Sequence, residues 1–136
     1  MATKAQILKF VKSQRSIHLY KKVQKALADV LLAMPSKDYA LATKNTILMV
    51  LHETAFGQLM HVNGIRAKSK ILQLSIAKKA PMYILQYVIA HEFGHGMQGR
   101  NWKNGDGMKL EENADAWAEK WGFPKTKKIK AWMEKQ

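Results

Sequence analysis

Residues 80–97 of this 136-residue chain read APMYILQYVIAHEFGHGM. A proline suits the first turn of a helix, because the N–H that it lacks would have no partner there. Apolar residues follow at three- and four-residue spacing, and Ile84 and Val88 fall on the same face as His91 and His95. The sequence therefore predicts one long helix here, with both histidines on its buried side.

Within this helix, residues 91–95 have the pattern His-Glu-x-x-His. Side chains four residues apart lie on one helix face, so His91 and His95 can bind one metal ion at about 2.0–2.1 Å. Glu92 lies between them, beside the ion but not bound to it. The alternative is two histidines packed in a core without a metal, since five-residue patterns also arise by chance.

The chain contains no cysteine, so a third protein ligand has to be His, Asp or Glu. Residues 110–121 show helical spacing, and Glu111 and Asp115 fall along the edge of their apolar stripe. Glu112 falls about a quarter turn farther toward solvent and is the alternative ligand. We therefore expect one zinc ion per chain, bound by His91, His95 and Glu111, with Asp115 accepting a hydrogen bond from an imidazole N–H.

Gly94 stands inside the predicted helix, where glycine costs about 1 kcal/mol relative to alanine. A glycine at such a position is typical of a close approach by another backbone. We therefore expect another backbone, or the glutamate-bearing helix at residues 110–121, to pass close to Gly94.

The first 40 residues form an N-terminal helical region. Apolar residues recur at helical spacing from residue 6 to residue 34, with a possible break at residues 13–16. Pro35 and the polar residues after it are typical of a helix end. This part of the chain is therefore predicted to be one helix, or two with a break between them.

Three apolar stretches between the helical parts predict strands at residues 46–51, 56–62 and 65–76. Asn63-Gly64 separates the last two and is a strong hairpin signal. Residues 46–51 could instead be a helix. The whole chain, residues 1–136, is then one α+β domain with a zincin-like order: N-terminal helix, a small three-stranded and mostly antiparallel sheet, the histidine-bearing helix and the glutamate helix.

Residues 125–136 predict a basic C-terminal helix with Ile129, Trp132 and Met133 on one face. Such an apolar face is expected to pack on another apolar surface of the protein. It either packs on the N-terminal helix or lies over the metal site and blocks it.

The charge of the chain is strongly positive, at +13 from 23 basic and 10 acidic residues, and 8 of the basic residues lie in the first 40. A basic surface favours non-specific contact with nucleic acid, although a solvated basic shell without a partner is the simpler interpretation. No stretch is long and apolar enough to be a transmembrane segment, and no signal peptide is evident. We therefore expect a cytoplasmic, intracellular location.

Taken together, His91, Glu92, His95, Glu111 and Asp115 form HExxH followed by ExxxD, which resembles the gluzincin metallopeptidases of the zincin fold. The small size is similar to that of the minigluzincin, ImmA/IrrE-type and SprT-like groups. The resemblance covers residues 65–123 and includes an Ala-Asp-x-Trp-Ala run at residues 114–118. The first 40 residues are not part of it.

The resemblance implies that zinc is bound by the two histidines and Glu111, and that Glu92 is the general base. It also implies that the strand before the active-site helix lies at a sheet edge and binds the substrate backbone by strand addition. That strand is Ile71, Leu72, Gln73, Leu74, Ser75 and Ile76. No histidine follows His95, so an oxyanion-stabilising imidazole is missing, and Tyr83, Tyr87 and Arg66 are weak candidates for that task.

The leading expectation is a small soluble zinc endopeptidase that hydrolyses protein or peptide substrates. One alternative is a basic, nucleic-acid-associated protein with a SprT-like protease site. Another is a metal-binding interaction module whose peptidase site is latent. His18, His52 and His61 are isolated in the sequence and are expected to be structural or surface residues.

Overall fold

The computed structural model describes residues 1–50, 57–63, 68–74, 79–98 and 107–136. Within these ranges the chain forms, in order, α1 (Lys4–Ser13), a 3₁₀ turn (Arg15–Ile17), α2 (Lys21–Ala33), α3 (Ser36–Thr43), β1 (Thr46–Val50), β2 (Gly57–Asn63), β3 (Lys68–Leu74), α4 (Met82–Met97), α5 (Gly107–Lys120) and α6 (Lys127–Glu134). The α+β prediction is confirmed.

The N-terminal helical region has the expected break and one helix that was not expected. A capping box begins α1, in which the Thr3 hydroxyl accepts from the Gln6 N–H at 3.1 Å and the Gln6 side chain accepts from the Thr3 N–H at 2.9 Å. The 3₁₀ turn then separates α1 from α2, as predicted. Pro35 was interpreted only as a stop signal, but it also precedes the first turn of α3, where its fixed φ is favourable.

The three strands form a mixed sheet in the order β1-β3-β2. β2 and β3 are antiparallel, from Gly57↔Leu74 to Asn63↔Lys68, whereas β1 is parallel to β3. The expectation of a mostly antiparallel sheet is wrong, because one of its two strand pairs, β1 with β3, is parallel. The helical alternative for residues 46–50 is also wrong.

The predicted hairpin is present, but its turn is not the predicted one. Asn63 pairs with Lys68, so it belongs to β2 and four residues, 64–67, connect the strands. These four residues lie outside the described part of the chain. The pattern of apolar residues thus predicted where the strands lie. It did not predict how far the pairing of β2 with β3 extends toward the turn.

The strand that was expected to bind substrate is not an edge strand. Ile71, Leu72, Gln73 and Leu74 lie in β3, which pairs with β1 on one side and β2 on the other. That expectation is wrong for these residues, because strand addition needs an edge with unpaired backbone groups. Ser75 and Ile76 lie outside the described residues.

The core is built around α4. Eleven of its 16 residues are buried, so α4 is covered on nearly all sides rather than on a single face. It packs against α2, α5 and β2. The inner face of the sheet contributes Leu48, Leu72 and Leu74, which are fully buried.

A long-range contact connects α3 to the end of α5. Asp38, in the first turn of α3, is buried, and its carboxylate accepts a hydrogen bond from Trp121 Nε1 at 3.0 Å. The Lys120 ammonium lies 3.6 Å from the same carboxylate oxygen. Burying a carboxylate is unfavourable unless it has such partners, so this pair fixes where α5 ends.

The C-terminal helix α6 packs on the opposite end of α4 from the histidines. Ile129 is buried, and the Lys128 ammonium lies 4.3 Å from the centre of the Tyr83 ring in the first turn of α4. Tyr83 precedes His91 by eight residues, about 12 Å along a helix. The Lys128–Tyr83 contact places α6 beside the first turn of α4, whereas the predicted alternatives were the N-terminal helix and the metal site. In the described ranges, no helix has the length and apolar character needed to cross a membrane.

Candidate metal centre

The centre forms where α4 and α5 touch at Gly94. A Cβ added to Gly94 would lie 2.6 Å from the Ala114 carbonyl oxygen and 3.1 Å from Trp117 Cβ. Glycine is required here because any side chain would push the two helices apart. The close approach that the sequence predicted at Gly94 is confirmed.

Both imidazoles point toward the carboxylate of Glu111. His91 Nε2 lies 3.0 Å from Glu111 Oε2, and His95 Nε2 lies 3.0 Å from Glu111 Oε1. Two tetrahedral ligands at about 2.0–2.1 Å from one zinc ion are separated by roughly 3.3 Å. The distance from each histidine nitrogen to the Glu111 carboxylate is therefore close to the separation that a shared zinc ion would give.

The three motif residues on α4 are buried, whereas Glu111 on α5 is not. The side chains of His91, His95 and Glu92 are 10%, 9% and 7% exposed, whereas that of Glu111 is 63% exposed. The ligand atoms of His91, Glu92 and His95 lie within 4.8 Å of one another, a group that could hold a metal ion. Glu111 thus closes a buried histidine pair from its solvent side.

Asp115 lies beside His91, where the sequence predicted an acceptor for an imidazole N–H. Its Oδ1 atom lies 2.7 Å from His91 Nδ1, so an Nδ1–H can donate to it and leave Nε2 facing Glu111. The Tyr87 hydroxyl donates to the same oxygen. Burial and this hydrogen bond raise the pKa of Tyr87, which keeps its hydroxyl protonated as a donor.

Tyr87, one of the candidates for oxyanion stabilisation, has its hydroxyl on the Nδ1 side of His91, where it donates to Asp115. Its position, four residues before His91, is a signal that sequence reasoning could have used. Gln98 was missed altogether. Its Nε2 lies 3.3 Å from His95 Nδ1 and 3.0 Å from the Leu110 carbonyl oxygen.

The electrostatics of the buried groups favour metal binding. Burial, and secondarily the charge of Glu111, raise the pKa of Glu92 to about 8. Burial and the neighbouring His91 lower the pKa of His95, which favours the neutral imidazole that a metal needs. A cation at this place would oppose the shift at Glu92 and favour its ionised form.

The remaining candidates do not join this group. Glu112 is exposed on α5, and Tyr83 contacts Lys128 at the other end of α4. His18 is exposed after the 3₁₀ turn, and His61 belongs to β2. His52 and Arg66 lie outside the described residues.

Comparison of the chain with protein-family models, curated proteins and solved structures gave no match. The resemblance to gluzincins therefore stays a prediction from the five motif residues.

The candidate metal ligands are two imidazoles and one carboxylate, without a thiolate. Such a set suits zinc in a catalytic site, where three protein ligands leave one position open for water.

Proposed function

We propose that this protein is a zinc-dependent endopeptidase. The observation that carries the proposal is the convergence of His91 Nε2 and His95 Nε2 on the Glu111 carboxylate, with the buried Glu92 carboxylate beside them. Three protein ligands and a nearby carboxylate that does not bind the metal are what metal-assisted hydrolysis requires.

Bound zinc would lower the pKa of a water molecule to about 7 and polarise the scissile carbonyl. Glu92 would take the proton of that water and return it to the leaving amine. Its carboxylate oxygen lies 4.0 Å from His91 Nε2, which keeps it near the metal position without making it a ligand. Asp115 would hold His91 in the tautomer that leaves Nε2 unprotonated.

The described edge strand beside the centre is β2, and we assign substrate binding to it in place of β3. A Cβ on Gly96 of α4 would lie 3.3 Å from Leu59 Cδ1, so β2 runs alongside the second half of α4. Among the described strands, β2 pairs only with β3. An extended peptide could add to its other edge through main-chain hydrogen bonds.

Metal analysis of variants tests the ligand set. We expect about one zinc ion per chain in the parent protein, and loss of that zinc in His95→Ala and Glu111→Ala, because two remaining ligands bind zinc weakly. Glu112→Ala is the matched control, since it removes the neighbouring exposed glutamate and should retain the metal. Elemental analysis after dialysis measures the content. Equal zinc in Glu111→Ala and the parent would overturn the assignment.

A second candidate function, contact with nucleic acid, is favoured by the lysines at the amino end of α4. The Lys22 ammonium donates to the Ala80 carbonyl at 2.7 Å, Lys128 covers Tyr83, and Lys79 is exposed next to them. Three separate parts of the chain thus bring positive charge to one place. The phosphate backbone of a nucleic acid is the polyanion that such a surface binds without sequence preference.

The two acidic residues of the first 40 both have partners within the protein. Asp29 accepts from Gln86 at 3.0 Å and lies 3.5 Å from Lys25, and Asp38 is buried against Trp121. Because only two carboxylates stand against eight basic side chains, the first 40 residues keep a strong positive charge.

Salt dependence tests this second candidate. We expect the protein to bind duplex DNA of any sequence at 50 mM salt and to release it steeply as salt rises, because counterions compete for the phosphates. Lys79→Glu should lower the slope of log affinity against log salt by about 1. Lys109→Glu, on α5, has the same charge change and should have a smaller effect. Fluorescence anisotropy measures both, and an equal loss in the two variants would contradict the proposed surface.

A further inference from the structure

We propose that Tyr87 is a positioning residue for the metal centre, because its hydroxyl holds the Asp115 carboxylate against His91. The functional motif then begins four residues before the first histidine. This inference rests on the proposed zinc site and extends it by a residue that acts through Asp115.

The first observation is that two rows of side chains, one on α4 and one on α5, meet in opposite directions. Tyr87, His91 and His95 are each four residues apart and form the row on α4. Glu111 faces one end of this row, 3.0 Å from Nε2 of both histidines. Asp115 faces the other end, where its Oδ1 atom lies 2.7 Å from His91 Nδ1 and accepts from the Tyr87 hydroxyl. Tyr87 therefore completes the contacts between the two rows.

The second observation is that burial alone does not hold Asp115 in place. Its side chain is 29% exposed, so water reaches the carboxylate and can replace a protein partner at little cost. Tyr87 is buried and packed in the hydrophobic core, which fixes the position of its hydroxyl. The hydroxyl therefore fixes the carboxylate oxygen to which it donates.

The third observation is that the two donors to Asp115 do not compete. A ring that binds a metal through Nε2 has its proton on Nδ1, and this N–H needs an acceptor. A carboxylate oxygen has two lone pairs, so Oδ1 can accept from His91 and from Tyr87 together. Without the hydroxyl, the carboxylate has to be ordered from water when the metal binds, and this cost lowers the affinity for zinc.

Tyr87→Phe tests the proposal because it keeps the ring and removes only the hydroxyl. We expect it to weaken zinc binding by about 2- to 10-fold, the typical contribution of one hydrogen bond to an equilibrium constant. Asp115→Ala should weaken zinc binding by about 10- to 100-fold, since it removes the group that contacts the ligand itself. In the Asp115→Ala protein, Tyr87→Phe should cause little further loss, because the oxygen through which Tyr87 acts is gone.

Tyr39→Phe is the matched control. It removes a hydroxyl from another partly or fully buried tyrosine ring, one whose hydroxyl donates to the Gln6 carbonyl oxygen at 3.3 Å. Zinc affinity is measured by competition with a chromophoric chelator, and the visible absorption of the cobalt-substituted protein reports the geometry at the metal. Thermal unfolding of the metal-free proteins is followed in parallel. We expect the cobalt spectrum to change in Tyr87→Phe and not in Tyr39→Phe.

The outcomes separate this inference from the proposed function. A parent protein that binds no zinc overturns both, whereas a parent that binds zinc without cleaving peptides overturns only the peptidase. Zinc affinity in Tyr87→Phe that equals or exceeds that of the parent overturns the role of Tyr87. An equal loss with and without Asp115 does so as well, because Tyr87 would then act on the centre by another route.

Two further results bear on the role of Tyr87. A lower kcat in Tyr87→Phe, with the zinc affinity and cobalt spectrum of the parent, would assign the hydroxyl to the substrate and overturn the positioning role. If Tyr87→Phe does not fold, Tyr87→Met provides the same comparison, because methionine is apolar and adapts to the space in a core. Zinc affinity equal to that of the parent in Tyr87→Met likewise overturns the role.

Discussion

Glu92→Gln is expected to lose peptide hydrolysis by a factor on the order of 10²–10⁴ while it keeps its zinc. Glutamine has nearly the same shape as glutamate but cannot accept the proton of the attacking water. The Glu92 carboxylate is buried beside the histidines, with an oxygen 4.0 Å from His91 Nε2, so it can reach a metal-bound water without being a ligand. The substitution therefore separates catalysis from metal binding.

The measurement is the chelator-sensitive cleavage of an unfolded protein such as casein, together with zinc content. Glu119→Gln is the control, because Glu119 is an exposed glutamate on α5. Equal rates in Glu92→Gln and the parent would show that Glu92 is not the base. Zinc without turnover in the parent would favour the latent metal-binding module.

The second large effect is expected at Gly94, where alanine should destabilise the fold by about 2 kcal/mol or more. The added methyl group would meet the Ala114 carbonyl oxygen at 2.6 Å, and a helix backbone cannot move away as a flexible side chain can. The gain of about 1 kcal/mol in helix propensity does not offset this overlap. Any relaxation would shift α5, and with it Glu111 and Asp115, away from the histidines.

Gly96→Ala provides the comparison within the same helix. Its Cβ would meet Leu59 Cδ1 at 3.3 Å and Lys70 Cδ at 3.7 Å, both of which are side-chain atoms and not backbone. We therefore expect it to be neutral or slightly stabilising. Denaturant unfolding of the metal-free variants measures the difference, and a Gly94→Ala protein as stable as the parent would contradict the close helix contact.

The site residues on one helix could be predicted from the sequence because helical spacing is local. The four-residue separation places His91 and His95 on one face, and the same separation places Glu111 and Asp115 together. Gly94 then indicated a close approach by another backbone or by the second helix. The relative positions of side chains on two short helical segments can thus be predicted without a structure.

The sheet and the supporting contacts depend on packing between distant parts of the chain. The alternation of Leu72 and Leu74 locates β3, but it does not say that β1 joins β3 on the far side from β2. Gln98 likewise lies one turn after His95, yet its other partner is Leu110 on α5. Contacts of this kind are set by the three-dimensional arrangement and have no periodic signal.

The hydrogen bond between Asp38 and Trp121 joins residues 83 positions apart and has a consequence for synthesis. At the usual elongation rate of about 5–20 residues per second, roughly 4–17 s pass between the synthesis of Asp38 and that of Trp121 on a ribosome. During that interval the Asp38 carboxylate has no indole to accept from, so it favours a solvated position over its buried one. The packing of α3 against the rest of the protein is therefore completed only several seconds after its own residues have been made.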